Sequence, residues 1–303
     1  MPAKRALIII TMRIGNLTFI RTCAAVVALS LLFVFGACDK IEGPYITHDD
    51  SVDTDVEFPP LDTQSVFSKI LIEEYTGQMC VNCPNGHREL ENLARFYHDT
   101  LIAIGIHAGV FAIPTPTFSN DFRTEEGTTL YSDFQVATVG TPSAVINRKQ
   151  FNGAFPLNVA QWRQSIAECT GAAPRAAIQI INQYDASAQL LTVNTKTTII
   201  DDYQGTLQLI LYVIEDHIVG PQKDGEETVM DYEHQHVLRG SVNGTYGARL
   251  TTDGIVEKGQ GYTKSYQLSC SGNNWNIDNC SIVAILADAD TKEVVQVEKC
   301  SFR

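Results

Sequence analysis

The sequence predicts an α/β unit, residues 66–172, followed by an all-β antiparallel sandwich, residues 173–303. Two observations carry this. Strand-like and helix-like periodicities alternate in the order β-α-β-α-β-turn-α up to about Cys169, the signature of an α/β layer. After Pro174 the texture changes to alternating β-branched and apolar residues joined by short polar turns, with no convincing helix between them.

The chain opens on a targeting segment. Its first 37 residues hold Lys4, Arg5, Arg13 and Arg21 and no acid. Arg13 and Arg21 precede the apolar run CAAVVALSLLFVFGA at residues 23–37. That run is too short to span a bilayer comfortably and has the flanks of a signal h-region, with Met12 as an alternative start. Phe35-Gly36-Ala37-Cys38 resembles a bacterial lipobox, with Phe where Leu is usual. It implies a signal peptide over 1–37 and a lipidated Cys38 that ties the mature chain to a membrane; a plain signal anchor is the alternative. Residues 38–65, rich in Asp, Pro and Thr and without periodicity, then read as an acidic tether.

In the α/β unit, residues 68–75 (SKILIEEY) read as a strand and 81–98 as a helix with Leu90, Leu93, Ala94 and Tyr97 on its apolar face. The run LIAIGIH at 101–107 is that of a strand covered on both faces. A Pro-punctuated loop, a helix at 125–134, a strand within 139–148 and a helix at 157–169 with Val159, Trp162 and Ile166 on one side complete it. In the second part, strands fall at 176–184, 190–200, 206–215, 261–269, 281–287 and 293–299, and suggest an Ig-like sandwich. Residues 220–243 read as a polar, glycine-containing loop.

The 303 residues are 44% hydrophobic and 19% charged, which excludes a disordered chain. Net charge is −13, and −17 without the first 37 residues, so phosphate-backbone binding is excluded as a general activity. No catalytic triad, phosphate-cradling loop or cofactor fingerprint occurs, and neither a cofactor nor a bound metal is expected.

Apart from Cys23 and Cys38, six cysteines remain, an even number suited to disulfides in an exported chain. Cys80-Val81-Asn82-Cys83 follows a buried-type strand and opens a helix. A helix N-terminus stabilises a thiolate, and a two-residue spacing brings the second sulfur within disulfide reach. Cys80 is then the attacking thiol and Cys83 the resolving one. Gly140-Thr141-Pro142-Ser143 opens a strand about sixty residues later, where thioredoxin-like proteins place a cis-proline facing the CxxC. The backbone at Thr141 and Pro142 would pair with an extended substrate. Glu74, six residues before Cys80, resembles the buried carboxylate that serves thioredoxins as proton relay; the alternative is that Glu73 or Glu74 points outward.

Glu73-Glu74-Tyr75-Thr76-Gly77-Gln78-Met79-Cys80-Val81-Asn82-Cys83-Pro84-Asn85-Gly86-His87, with Gly105-Ile106-His107-Ala108-Gly109, the Trp275 region and Val294-Val295-Gln296, resembles the outer membrane protein 28 family of Bacteroidota. The resemblance implies an exported outer-membrane lipoprotein with a thioredoxin-like domain followed by a β-rich domain, on the periplasmic or cell-surface face, for which adhesin or receptor roles have been proposed. Met79 before the first cysteine and Val-Asn between the two depart from ordinary thioredoxins.

His87 falls on the helix face of Cys83, and thioredoxin-fold copper chaperones pair two cysteines with a distant histidine such as His107. The threonine before Pro142 fits thiol exchange better, leaving His87 to pack locally and His107 to satisfy a core hydrogen bond. His234 and His236 read as a solvated surface pair, and the Asn243 sequon as coincidental. Cys270 and Cys280 flank a Gly/Asn-rich turn and suggest a hairpin disulfide, with Cys280 to Cys300 or Cys169 to Cys300 as alternatives. Two functions remain: thiol-disulfide exchange on exported proteins, or an adhesin whose CxxC is a structural bridge and whose partners are host or partner-cell proteins.

Overall fold

The computed structural model describes residues 55–303. The signal segment, Cys38 and the start of the tether lie outside the described residues. Residues 55–65 contain neither helix nor strand. The rest is β-rich, with mixed and antiparallel sheets.

The strands are, in chain order, β1 (Ile70–Thr76), β2 (Leu101–His107), β3 (Ser143–Ile146), β4 (Leu157–Asn158), β5 (Ala176–Asp185), β6 (Leu190–Ile199), β7 (Tyr203–Gln204) and β8 (Leu207–Glu215). They continue with β9 (Ile218–Asp224), β10 (Glu227–His234), β11 (Val237–Ser241), β12 (Ala248–Arg249), β13 (Ile255–Val256), β14 (Gly261–Ser269), β15 (Cys280–Asp288) and β16 (Val294–Ser301). Among the described residues three α-helices, α1 (Cys83–Tyr97), α2 (Glu125–Asp133) and α3 (Val159–Cys169), accompany β1 to β4. Thr124 caps α2 by accepting from the Gly127 amide, and Asn158 with Gln161 forms a capping box on α3.

One large sheet runs β16-β15-β8-β11-β2-β1-β3-β4, with β12 paired to β8 off that path. The segments on either side of residue 172 therefore share a sheet. The join is the parallel contact of β11 with β2 at Val237 and Gly105, where the Gly105 amide donates to the His236 carbonyl at 2.7 Å. A Cβ on Gly105 would stand 3.2 Å from the Gln235 carbonyl oxygen, so glycine permits the close approach.

Period-2 alternation divides the side chains among three cores. On one face, Ile70 and Ile72 of β1 meet Leu90 and Leu93 of α1 and Trp162 and Ile166 of α3. Leu71 and Tyr75 face the other way, toward Leu130 of α2 and toward Ile210, Tyr212 and Ile285 from β8 and β15. The opposite sides of β8 and β15, including Leu209, Leu211 and Ala284, pack on Leu191, Val193 and Leu268 of the separate sheet β14-β6-β5. β8 and β15 are thus buried on both faces, which is why LQLILYVIE and CSIVAILAD are nearly continuous apolar runs.

Residues 220–243 depart from the expected loop. β9 and β10 form an antiparallel hairpin across Asp224-Gly225-Glu226-Glu227, with Gly225 at φ 59° in the first loop position, as a type II′ turn requires.

The four remaining described cysteines are free thiols, which corrects the expected structural bridges. Cys280 lies on β15 of the large sheet, whereas Cys270 follows β14 of the smaller one, so the two enter one core from different layers. Each sulfur turns to a carbonyl near it in sequence, Leu268 for Cys270 and Asn276 for Cys280. Ile282, not Cys280, stands opposite Cys300. Cys280 is therefore a diagonal neighbour of Cys300, at roughly 7–8 Å, beyond disulfide reach. Cys169 packs against the α1/α3 core, away from all of them. Asn243 is also no modification site: its buried amide bonds Leu211 N and Leu209 O within the fold.

Glu73 and Arg148 form an ion pair with both side chains fully buried, joined by Nη2 to Oε1 at 2.7 Å and Nε to Oε2 at 3.0 Å. Arg148 Nη2 also donates to the Tyr212 hydroxyl on β8 at 3.2 Å. Removing one partner leaves an uncompensated buried charge. Arg148→Met is expected to lower unfolding free energy by about 3–5 kcal/mol, and the double variant Glu73→Leu/Arg148→Met by clearly less. Chemical denaturation of the three proteins checks this; a double variant weaker than the single contradicts it.

Candidate functional site

The site is assembled at the C-terminal end of β1. Chain leaving Thr76 turns through Gly77, where an added Cβ would stand 2.5 Å from the Phe111 carbonyl carbon, and the Met79 amide donates to the Phe111 carbonyl. Cys80 and Cys83 form a disulfide with their Cα atoms 5.4 Å apart. α1 starts at Cys83 rather than at Val81, with Pro84 in its first turn; Cys80 stands one turn earlier. Both cysteines are buried, Cys80 at 2% exposure and Cys83 at 0%.

Thr141-Pro142 is a cis peptide bond, and it meets the disulfide directly: the Thr141 carbonyl oxygen lies 3.5 Å from Cys80 Sγ. Glu74 lies below. An ideal Cβ at Gly86, one turn after Cys83 on α1, would stand 2.7 Å from Glu74 Oε1 and 2.9 Å from Pro142 Cβ. Gly86 therefore makes room for the carboxyl between the helix and the proline. Glu73 and Glu74 both point inward, into opposite cores, because β1 is covered on both faces. Glu73 is neutralised by Arg148. Glu74 has no such partner, its Oε1 accepts no hydrogen bond, and burial holds its pKa well above the ordinary 4.5.

His87 joins this group to the hairpin. One ring nitrogen, Nε2, is 2.9 Å from Thr76 Oγ1 and 3.7 Å from Glu74 Oε1; the other, Nδ1, is 2.6 Å from the Tyr232 hydroxyl on β10. Burial, then the neighbouring His234, pushes the His87 pKa down to about 3, so the ring is neutral. His107 ends β2 against Phe122 and His234, with ring centroids 4.9 and 5.5 Å away. His234 is buried, its pKa lowered to about 4 by burial, which corrects the surface reading. His236 pairs instead with Asp216, Nδ1 to Oδ1 at 2.8 Å. Among the described residues, no group of three or more His, Cys, Asp or Glu side chains is arranged to hold a metal ion.

The hairpin also grips the CxxC loop through its main chain. Lys223 N donates to Gln78 O at 2.8 Å and Gly225 N to Val81 O at 3.0 Å. Gln222 Nε2 reaches the Gly77 and Cys80 carbonyls, and Gln78 Nε2 returns a bond to Pro221 O. Asp224-Gly225 was the signal in the sequence that could have revealed the hairpin; Pro221 and the dense charge around it obscured the alternation. Exposed Val81, Val110, Phe111 and Val139 leave an apolar rim around the disulfide.

Fold and site together define a β-rich protein with a CxxC disulfide, facing a cis-proline and closed by a hairpin from the C-terminal half. The chain belongs to the Omp28 family: the family model, described as outer membrane protein Omp28, matches residues 128–302, which include Thr141, Pro142 and the hairpin. Among solved structures it is similar to HBP35 of Porphyromonas gingivalis, with 14% identity, a TM-score of 0.54, and coverage of 77% of this chain and 75% of that one. It also matches a protein of Agrobacterium tumefaciens, with 13% identity, a TM-score of 0.47, and coverage of 78% and 95%. A domain of the outer membrane lipoprotein Omp28 from Porphyromonas gingivalis matches at 24% identity and a TM-score of 0.30, covering 44% of this chain and 91% of that one. No curated protein matches the chain. Among the described residues no helix is long and apolar enough to cross a membrane.

Two opposed pKa shifts at the site contribute to the pH dependence of stability. Folded Glu74 keeps a proton that the unfolded chain releases above about pH 4.5, so its contribution declines as pH rises toward the folded value. Folded His87 stays neutral while the unfolded chain gains a proton below pH 6.5, so stability falls as pH drops from 6.5 toward 3. Glu74→Gln is expected to flatten only the alkaline decline, and His87→Gln to soften only the acid one. Denaturant unfolding at pH 5, 6.5 and 8 reads this; parallel pH curves for wild type and Glu74→Gln contradict it.

Proposed function

We propose that the chain is an outer-membrane, lipid-anchored lipoprotein whose N-terminal half is a thioredoxin-like unit that exchanges disulfides with exported proteins. The single observation that carries this reading is the Cys80–Cys83 disulfide set against the Thr141-Pro142 backbone, with the buried Glu74 carboxyl beneath. Cys38 is the lipid attachment point and residues 1–37 the signal peptide. The family description supports the outer-membrane location.

In this reading an unfolded polypeptide lays its apolar side chains on the rim of Val81, Phe111 and Val139 and its backbone along Thr141. A substrate thiolate attacks Cys80 Sγ. The Cys80–Cys83 bond breaks, the Cys83 sulfur leaves with the electron pair, and the Glu74 proton neutralises it. A second substrate thiolate then attacks the substrate sulfur of the mixed disulfide and releases Cys80 as a thiolate. The substrate dithiol is oxidised and the protein disulfide reduced; the reverse direction uses the same positions.

One observation favours a second reading, a binding protein such as an adhesin or receptor for host or partner-cell proteins: both cysteines are buried and the hairpin is bonded to their loop. There the disulfide is structural. The two readings separate on reduction potential and turnover. Exchange predicts a Cys80–Cys83 potential above about −300 mV, whereas structural bridges lie below it. It also predicts that the purified protein catalyses insulin reduction and that Cys80→Ser loses at least about tenfold of that rate; equal rates in the two proteins exclude exchange.

A further inference from the structure

We propose that His87 and Tyr232 form a proton relay between the buried Glu74 carboxyl and solvent, so that the C-terminal hairpin supplies part of the redox site. The inference rests on the exchange reading and extends it to two residues outside the CxxC, the cis-proline and the buried acid.

The problem the relay solves is physical. Each time Glu74 gives its proton to Cys83 it is left as a carboxylate with no cation beside it; Arg148, the nearby buried cation, is committed to Glu73 on the other face of the sheet. A buried unpaired carboxylate is costly and must be reprotonated. Glu74 itself has almost no route to water, at 2% exposure.

The structure offers a line of proton-carrying groups out of that position, with one gap of 3.7 Å at Glu74 that a water in the cleft would bridge. Glu74 Oε1 is 3.7 Å from His87 Nε2, and Thr76 Oγ1 stands 2.9 Å from the same nitrogen. The opposite nitrogen, Nδ1, is 2.6 Å from the Tyr232 hydroxyl, and Tyr232 is only half-buried. A neutral imidazole is suited to this role, because it takes a proton on one nitrogen while releasing one from the other. Burial keeps His87 in that neutral form. The cleft bounded by Glu74, Thr76, His87, His107, Tyr232 and His234 holds about 30 Å³, room for a water or two within the line.

The transfer balances without further reactants. Solvent gives a proton to the Tyr232 oxygen as the Tyr232 proton passes to His87 Nδ1. The proton on His87 Nε2 passes to Glu74, which returns to the carboxylic acid. Oxidation of the dithiol runs the line outward: Glu74 passes its proton to His87 Nε2 as Nδ1 gives one to Tyr232 and Tyr232 gives one to solvent, the Glu74 carboxylate then takes the Cys83 S–H proton, the Cys83 sulfur bonds to Cys80, the mixed disulfide breaks, and the departing thiolate carries the electron pair away.

His87 and Tyr232 act through Glu74 and are positioning residues. The test uses the reduced protein, with every cysteine other than Cys80 and Cys83 replaced by alanine so that the free thiols do not react, and the chromogenic disulfide 5,5′-dithiobis(2-nitrobenzoate) in stopped flow. A first, concentration-dependent phase reports attack by Cys80. A second, concentration-independent phase reports closure by Cys83, the step that needs its proton removed. Tyr232→Phe, which keeps the ring, is expected to lower the ratio of second to first rate about tenfold or more. His87→Ala is expected to do the same, with added imidazole restoring the second phase, and wild type to show a slowed second phase in D2O. An unchanged ratio in Tyr232→Phe, or no imidazole rescue of His87→Ala, overturns the relay while leaving exchange intact. Absence of both phases in wild type overturns the relay and the exchange reading together.

Discussion

The structure turns on where two adjacent acids go. Glu73 and Glu74 follow each other on a strand buried on both faces, so one must enter each core. Glu73 meets Arg148 and, through it, Tyr212 of β8, which ties β1 to the C-terminal half from inside the shared core. Arg148 also lies over the rings of Phe134, Tyr212 and Tyr246, so aromatic faces and a hydroxyl surround a charge that water cannot reach. Without this pairing the face of β1 opposite the disulfide would hold a bare carboxylate in the core beneath the large sheet, which closes across β2 and β11.

That closure determines the second acid. Because β11 joins β2, the hairpin that precedes it falls over the end of β1 and the start of α1. It brings main-chain donors to the CxxC loop and Tyr232 to His87, and it buries His234 against His107. Glu74 is left without an ion-pair partner under Gly86 and Pro142, with a polar line leading outward through His87 to Tyr232, 145 positions further along the chain. The active-site chemistry proposed for the N-terminal half is therefore shared with the half expected to be a separate sandwich.

The elements that local periodicity can reveal were legible. The strand at LIAIGIH, the amphipathic helices and the strands between Ala176 and Glu215 follow from spacing alone, and the family likeness carried by the Glu73 to His87 stretch agrees with the family the chain belongs to. The hairpin was not, because Pro221, the glycines and a run of charges interrupt the alternation that marks a strand. The cysteines misled for a related reason: a Gly/Asn-rich turn between Cys270 and Cys280 suggests a tight hairpin, but β14 and β15 belong to different sheets.

What the sequence determined by itself was chemistry and local form: the CxxC, the threonine-proline pair, the acid six residues before Cys80, the charge balance and most strands and helices. Those depend on residue type and on neighbours within a turn or two. Only the tertiary structure decided which acid is paired and which is neutral, which histidine is buried, and which cysteines are joined. Those outcomes depend on what stands across a sheet or between layers, and a one-residue shift in strand register would exchange the environments of Glu73 and Glu74.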